Sequence, residues 1–398
     1  MEIVGRRYDT SEPVRLRIGA GKIQSVAAEQ AGDPNALPWI APGFVDVQVN
    51  GYGGRAFNDP ELTPEKVAEV CRFMDADGVT TFLPTAVTDS FEVLSHALAI
   101  YAQACDSMPE VACRAPLFHL EGPYISPGDG PRGAHPLAHV RPPDWEEFSR
   151  LQEAAGGRIR ILTMSPEYEG ASDFIRRATD SGVVVAIGHT AADSDQIRAA
   201  VDAGARFSTH LGNGADGQIR RHPNYIWDQL AEDRLWASLI VDGHHLPPSV
   251  VKSFVRAKTP ERCLLVSDIT SMAGMPPGVY NNTGIGDVEV LPGGKLVVAG
   301  QQQYLAGAAL PIGVGVANVM RFAGVSLKAA IEMASIRPAE LIRLEPVRLE
   351  PGRVADLVLF DLAEDGALSS GGLTVRATLQ GGEVVFGDAA IESLGRNS

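Results

Sequence analysis

What this sequence has little of narrows its function before any motif is read. Only four cysteines occur, Cys71, Cys105, Cys113 and Cys263. Their spacing fits neither a disulfide framework nor a cysteine-based zinc motif, so a reducing compartment, the cytoplasm, is expected. No long apolar run exists: the longest, "GVVVAIG", falls far short of the roughly 20 residues that cross a bilayer. The opening stretch "MEIVGRRYDT" lacks the apolar core of a signal peptide. Basic charge is scarce, with 34 Lys and Arg against 49 Asp and Glu and a formal net charge of −15. Non-specific binding to nucleic acid or an anionic membrane needs basic surface, so neither partner is expected. An anionic small molecule is still allowed, because a few local arginines suffice to hold one. No GxGxxG follows a strand-like run, and no repeat or low-complexity segment appears.

What is present has a clear order. The first forty residues read as short strands, with "VRLRIGAGKIQSVAAE" turning at a Gly-Lys pair. The C-terminal "GRVADLVLFD" and "ATLQGGEVVFGD" read the same way. Between these ends, eight apolar strand-like runs alternate with helix-like stretches such as Pro64–Ala76, Phe91–Ala104, Trp145–Ala155 and Ser194–Ala203. The runs are "GFVDVQVN", "TTFLPT", "PLFHLEG", "IRILTMS", "VVVAIGHT", "ARFSTHLGN", "WASLIVDG" and "CLLVSDIT". Eight such units predict an α/β (β/α)8 TIM-like barrel over 41–345, with an open doubly wound sheet as the alternative. Residues 1–40 and 346–398 are expected to form a small β-sandwich-like domain built from both termini.

In such a barrel, chemistry sits at the C-terminal ends of the strands, and those ends here are polar. The third run ends in His119 and Glu121, the fifth in His189, and the sixth in His210 and Asn213. The seventh ends in Asp242, His244 and His245, and the eighth in Asp268. With His135 in the loop after the third run, six of the nine histidines lie at or just after a strand end. An isolated histidine there is ordinarily a structural hydrogen-bonding group, and a lone Asp ordinarily caps the next helix. Convergence on several strands points elsewhere. Glu121, His189 and His210 make a two-His, one-carboxylate set, the pattern of a catalytic zinc with one position left for water. Iron, manganese or cobalt suit similar ligands. Asp268 is the natural acid/base, because the segment after it, "ITSMAGMPPG", reads as a loop and leaves no helix to cap.

One metal is favoured over two. A carboxylated lysine often bridges a binuclear site at the fourth strand, but none of the six lysines lies at "ILTMSPE". The His-x-His pair common on a first strand is replaced by Gln48 and Asn50, amides that suit orientation of a ligand rather than coordination. In "HLGNGADGQIRRHPN", Asn213 and Gly214 can point amide groups at a ligand, and Arg220 or Arg221 can hold an anion.

The segments "PGFVDVQVNGYGG", "HLEGPYISP", "GAHP", "GHT", "THLGNG", "VDGHH", "SDITSMAG", "LAGAAL" and "GRVADLVLFD" together resemble the N-acetylglucosamine-6-phosphate deacetylase family of the amidohydrolase superfamily, over residues from about 40 to 360. The resemblance implies a metal-dependent deacetylase acting on a 2-acetamido sugar 6-phosphate in amino-sugar catabolism. It implies one divalent metal on Glu121, His189 and His210, Asp268 as acid/base, and usually a homodimer. It further implies substrate contacts from Ala134, His135, Asn213, Gly214, Arg221, His245 and the turn Ala306, Gly307 and Ala308. The arginine commonly reaches a phosphate from the neighbouring subunit. Alternative readings are an N-acetylgalactosamine-6-phosphate, an unphosphorylated sugar or an N-acyl amino acid as substrate, and, further off, a non-catalytic scaffold relative. The sequence departs from the family where "HLFNAM" becomes "HLGNGA", "TDA" becomes "SDI" and "AGS" becomes "AGA". With Gly212 in place of an aromatic, Ala215 in place of a methionine and a hydroxyl lost in "AGA", these departures predict a pocket that is roomier or less polar around the sugar or phosphate.

Overall fold

The computed structural model describes residues 1–30, 33–363 and 372–387. Parts of the predicted terminal domain, 364–371 and 388–398, lie outside the described residues. Each of the eight apolar runs is a strand. We label them β1 (Phe44–Val49), β2 (Val79–Val87), β3 (Phe118–Glu121), β4 (Ile159–Met164), β5 (Val184–Ile187), β6 (Phe207–Ser208), β7 (Trp236–Leu239) and β8 (Cys263–Leu265). Neighbours pair in parallel and in chain order from β1 to β8. Parallel neighbours need crossovers, and helices such as Pro64–Ala76 and Ser194–Ala203 supply them. Thr63 caps the first of these helices, and Asp193 with Gln196 forms a capping box on the second.

Between β8 and β1 the seam is closed by fewer bonds. Asp268 N–H donates to Gln48 O at 3.1 Å and Asn50 N–H to Ile269 O at 2.8 Å. Below them Asp46, fully buried, accepts from Ser267 N–H at 3.3 Å. Burial pushes that carboxyl up to about 7. The lumen is filled by Val45, Val47, Leu83, Ile161, Phe207 and Leu264, and Leu341 and Ile342 pack against its lower end. Apolar strands buried on both faces are expected of a parallel sheet covered by helices.

The terminal segments form one seven-stranded sheet. Its order is Glu383–Gly387, Leu373–Gln380, Leu357–Leu362, Trp39–Pro42, Glu2–Arg7, Pro13–Gly19 and Lys22–Ala28. One strand links sheet to barrel, since Trp39–Pro42 runs through Gly43 directly into β1. A Cβ on Gly43 would lie 2.2 Å from Thr80 Oγ1, so only glycine fits that crossing. After β8 the loop read from the sequence is present. It is followed by a four-stranded antiparallel meander, Gly278–Thr283 to Gln301–Leu305, that periodicity did not single out.

Candidate active site

Three strand ends bring their side chains to one point. Glu121 ends β3, while His189 and His210 follow β5 and β6. Glu121 Oε1 lies 3.1 Å from His189 Nε2 and 2.9 Å from His210 Nε2, and the two Nε2 atoms are 3.1 Å apart. All three residues are buried. In a tetrahedral zinc site, ligand distances near 2.0–2.1 Å put the donors about 3.3 Å from one another. The observed triangle is one face of that arrangement.

The ring of His189 is preset. Its Nδ1 sits 2.8 Å from Pro131 O, which only accepts, so Nδ1 carries a proton and Nε2, turned to Glu121, is the nitrogen that a metal would take in place of a proton. Glu121 is preset too, with Oε2 accepting from Gln48 Nε2 at 2.9 Å and Oε1 left for the histidines. Burial pushes the Glu121 carboxyl up, but hydrogen bonds and charge from His189 and His210 outweigh it and hold the group well below its ordinary range. A deprotonated carboxylate and a bare imidazole nitrogen are what a divalent ion needs. The residues fit a metal.

The local backbone is unusual where these groups turn inward. His189, His210 and Asp268 have φ of 49°, 29° and 53°. Left-handed non-glycine residues are uncommon and cost about 1–2 kcal/mol each. Each ends or follows a strand, where the turn redirects the side chain. Gly122, next to Glu121, has φ of 84° and leaves only 2.1 Å between a notional Cβ and Thr88 Oγ1, so no other residue fits there.

Asp268 faces the cluster from the seam. Its Oδ1 accepts from Asn50 Nδ2 at 2.7 Å. Burial and the negative charge of Glu121 raise its carboxyl to about 6, within the range useful to a general base. Gln48 and Asn50 therefore act on the acids beside them, one on Glu121 and the other on Asp268. Gln48 Oε1, Asn50 Oδ1 and His210 Nδ1 are buried without a protein partner.

The remaining predicted residues fall into groups. His135 packs edge-on against His189 with ring centroids 4.3 Å apart, and its Nδ1 lies 2.8 Å from Thr88 Oγ1. Burial and the neighbouring His189 push its imidazole down to about 3, so the ring is neutral. Ala134 beside it is exposed. Asn213 folds back on His210 O at 3.2 Å, and Gly214 lies against the His189 ring. His245 Nδ1 donates to Asp242 Oδ2 at 2.7 Å, leaving Nε2 free. Asp242 is itself fixed by the backbone N–H groups of His244 and His245. Ala308 O accepts from Thr270 N–H at 3.0 Å, which ties the Ala306, Gly307 and Ala308 turn to the end of the eighth strand. Arg220 and Arg221 are exposed, and among the described residues their side chains form no ion pair or hydrogen bond. They do not join the cluster within this chain.

Two readings change. His119 is not a site residue but a core group: Nδ1 donates to Val47 O at 3.0 Å and Nε2 accepts from Thr163 Oγ1 at 2.8 Å, with burial lowering it to about 4. The roomier pocket expected at Gly212 is not there either. A Cβ at that position would lie 2.9 Å from Phe254 and 3.1 Å from Leu246, whose side chains occupy the space. Thr88, which meets His135, went unread because nothing in "PTAVTDS" marks it.

Comparison with known proteins agrees with this geometry. The profile of the Amidohydrolase family matches residues 39–386. The chain is 34% identical over 303 residues to an N-acetylgalactosamine-6-phosphate deacetylase of Escherichia coli O157:H7, covering 76% of this chain and 78% of that one. It is 35% identical over 361 residues to the N-acetylglucosamine-6-phosphate deacetylase of Homo sapiens, covering 88% and 84%. A solved Asp-to-Ala mutant of N-acetyl-D-glucosamine-6-phosphate deacetylase from Mycobacterium smegmatis, in complex with N-acetyl-D-glucosamine-6-phosphate, superposes with a TM-score of 0.83 at 30% identity, covering 97% of this chain and 99% of that one. With its barrel, its buried Glu–His–His group and these relatives in agreement, the chain belongs to the amidohydrolase family.

Proposed function

We propose that this protein is a metal-dependent deacetylase that hydrolyses the N-acetyl group of N-acetylglucosamine 6-phosphate to acetate and the amino-sugar phosphate. The observation that carries this reading is the convergence of Glu121 Oε1, His189 Nε2 and His210 Nε2 within about 3 Å of one another, beside an Asp268 raised to about 6. Glu121, His189 and His210 would hold a divalent ion, zinc by preference, which would supply polarisation of the amide carbonyl and a water acidic near neutral pH. Asp268 accepts a proton from the attacking water and delivers it to the departing amine nitrogen. His135 donates from Nε2 to the developing oxyanion, which requires the Thr88 hydroxyl to donate to Nδ1. Asn213, Gly214, His245 and the Ala306, Gly307 and Ala308 turn line the sugar, with Ala134 at the rim.

The exposed Arg220 and Arg221 support a homodimer in which one subunit's arginine reaches the phosphate in its partner's site. We also propose a division into a terminal β domain, 1–40 and 346–398, and a barrel, 41–345, a reading that the separate sheets support. A cytoplasmic location fits four free cysteines. No helix among the described residues is long and apolar enough to cross a membrane.

The Escherichia coli relative supports a second reading, the galactosamine epimer, since its identity is as high as that of the glucosamine enzymes. Acetate release from N-acetylglucosamine and N-acetylgalactosamine, each with and without the 6-phosphate, separates them. The proposal expects the largest kcat/KM on N-acetylglucosamine 6-phosphate. A larger value on the galactosamine ester would transfer the assignment to that epimer, and equal rates with and without phosphate would remove the phosphate from it.

A further inference from the structure

The opposite end of the barrel carries a feature that this chemistry leaves unused. A cavity of about 320 Å³ opens between the starts of β5, β6 and β7 and the helix Ile336–Leu341. It is lined by four arginines, Arg206, Arg234, Arg262 and Arg343, against a single carboxylate, Glu340. Arg234 is neutralised by Glu232 at 2.7 Å and Asp202 at 2.8 Å. Glu340 is already engaged by Arg337 at 3.1 Å and Arg348 at 3.6 Å. The other three arginines have no carboxylate partner among the described residues. Arg206 gives one nitrogen, Nη1, to the carbonyls of Val201 and Ala205. Arg262 lies over the Trp236 ring, 5.1 Å from its centroid. The Arg343 guanidinium makes no hydrogen bond among the described residues, and it lines the cavity from a left-handed backbone with φ of 60°.

This chain has 49 acidic side chains with which to pair its cations, so three unpaired guanidinium groups around one cavity call for a cause. The charge of Arg343 is felt nearby: burial first, and that charge second, push Arg160 below its ordinary value. Like charges held together destabilise a fold unless something neutralises them. A guanidinium fork matches phosphate oxygens in a bidentate way. The volume falls at the small end of the range for ligand sites.

We propose that this cavity binds a small phosphate-bearing anion, on the face of the barrel opposite the catalytic mouth. The two sites are separated by about 16 Å along β5, counting five residues at roughly 3.3 Å each. Free inorganic phosphate and a phosphate ester present the same chemistry, and the test separates them.

Inorganic phosphate and glucose 6-phosphate are each titrated into the metal-loaded enzyme by calorimetry, with Trp236 fluorescence as a second signal. An Arg220→Ala, Arg221→Ala protein removes the exposed arginines that follow the sixth strand. It is expected to keep a saturable site for at least one probe. Arg206→Gln with Arg343→Gln is expected to weaken that site at least tenfold while kcat stays within twofold, which also certifies the fold. The corresponding double Lys variant, charged but without the fork, is expected to fall between. Tighter binding of glucose 6-phosphate assigns an ester, and equal or weaker binding assigns free phosphate. No saturable site in the Arg220→Ala, Arg221→Ala protein, or binding unmoved by Arg206→Gln with Arg343→Gln, overturns the proposal.

Discussion

The two ends of the barrel are made by the same eight strands, yet they handle charge in opposite ways. At the C-terminal mouth the ionisable groups of the buried cluster are answered by neighbours. Glu121 takes Gln48 and two histidines, Asp268 takes Asn50, His189 takes a carbonyl, and His245 takes Asp242. At the N-terminal face three arginines have no carboxylate partner among the described residues. The groups at the mouth are held so that each proton has one place to sit, which is what acid–base chemistry around a metal needs. The other face presents bare positive charge, which suits capture of an anion and nothing more. A barrel thus supports two unrelated tasks because its strands separate their ends.

Three substitutions at the mouth test that contrast, from the largest expected effect downwards. His210→Ala removes one corner of the donor triangle. It is expected to strip the metal and lower kcat on the order of 10⁴-fold, since a Lewis acid supplies several kcal/mol. Metal analysis beside acetate release checks it, and full metal content in this variant would displace Glu121, His189 and His210 from their role. Asp268→Asn is next, with the metal retained and kcat down about 10²–10⁴-fold. The acid form of Asp268 is favoured below its raised value of about 6, so the base is lost as pH falls through that region. The rate of the unaltered enzyme therefore falls on the acid side, and a bound dication shifts that limb lower. An acid limb that survives Asp268→Asn would assign the proton transfer to another group. Thr88→Val is the mildest. Losing one hydrogen bond to His135 is expected to reduce kcat about tenfold with KM little changed, and Thr88→Ser to restore most of it. If KM rather than kcat moves, His135 acts in binding and not on the oxyanion.

Much of this was legible in the sequence because it is local. Apolar runs of strand length, each closed by a polar residue, gave all eight strands, and the residues at their ends included the whole donor set. Periodicity also placed Pro64–Ala76 and Ser194–Ala203. What could not be read depends on residues far apart in the chain. Gly212 looked like empty space because Phe254, which fills it, comes from a later helix. His119 stood among the strand-end histidines because Val47 and Thr163, which satisfy both its nitrogens, lie on other strands. Arg206, Arg262 and Arg343 come from three separate loops, and no single stretch is basic enough to announce them. Left-handed turns at His189, His210 and Asp268 leave no trace in composition, since glycine is the residue that ordinarily marks them.

Those three turns set activity and thermal endurance against each other. A glycine at any of the three positions would relieve a backbone cost of about 1–2 kcal/mol and remove a group to which the proposed reaction gives a role. Selection for heat resistance alone, with no demand for turnover, would therefore be drawn first to the sites that make this protein an enzyme.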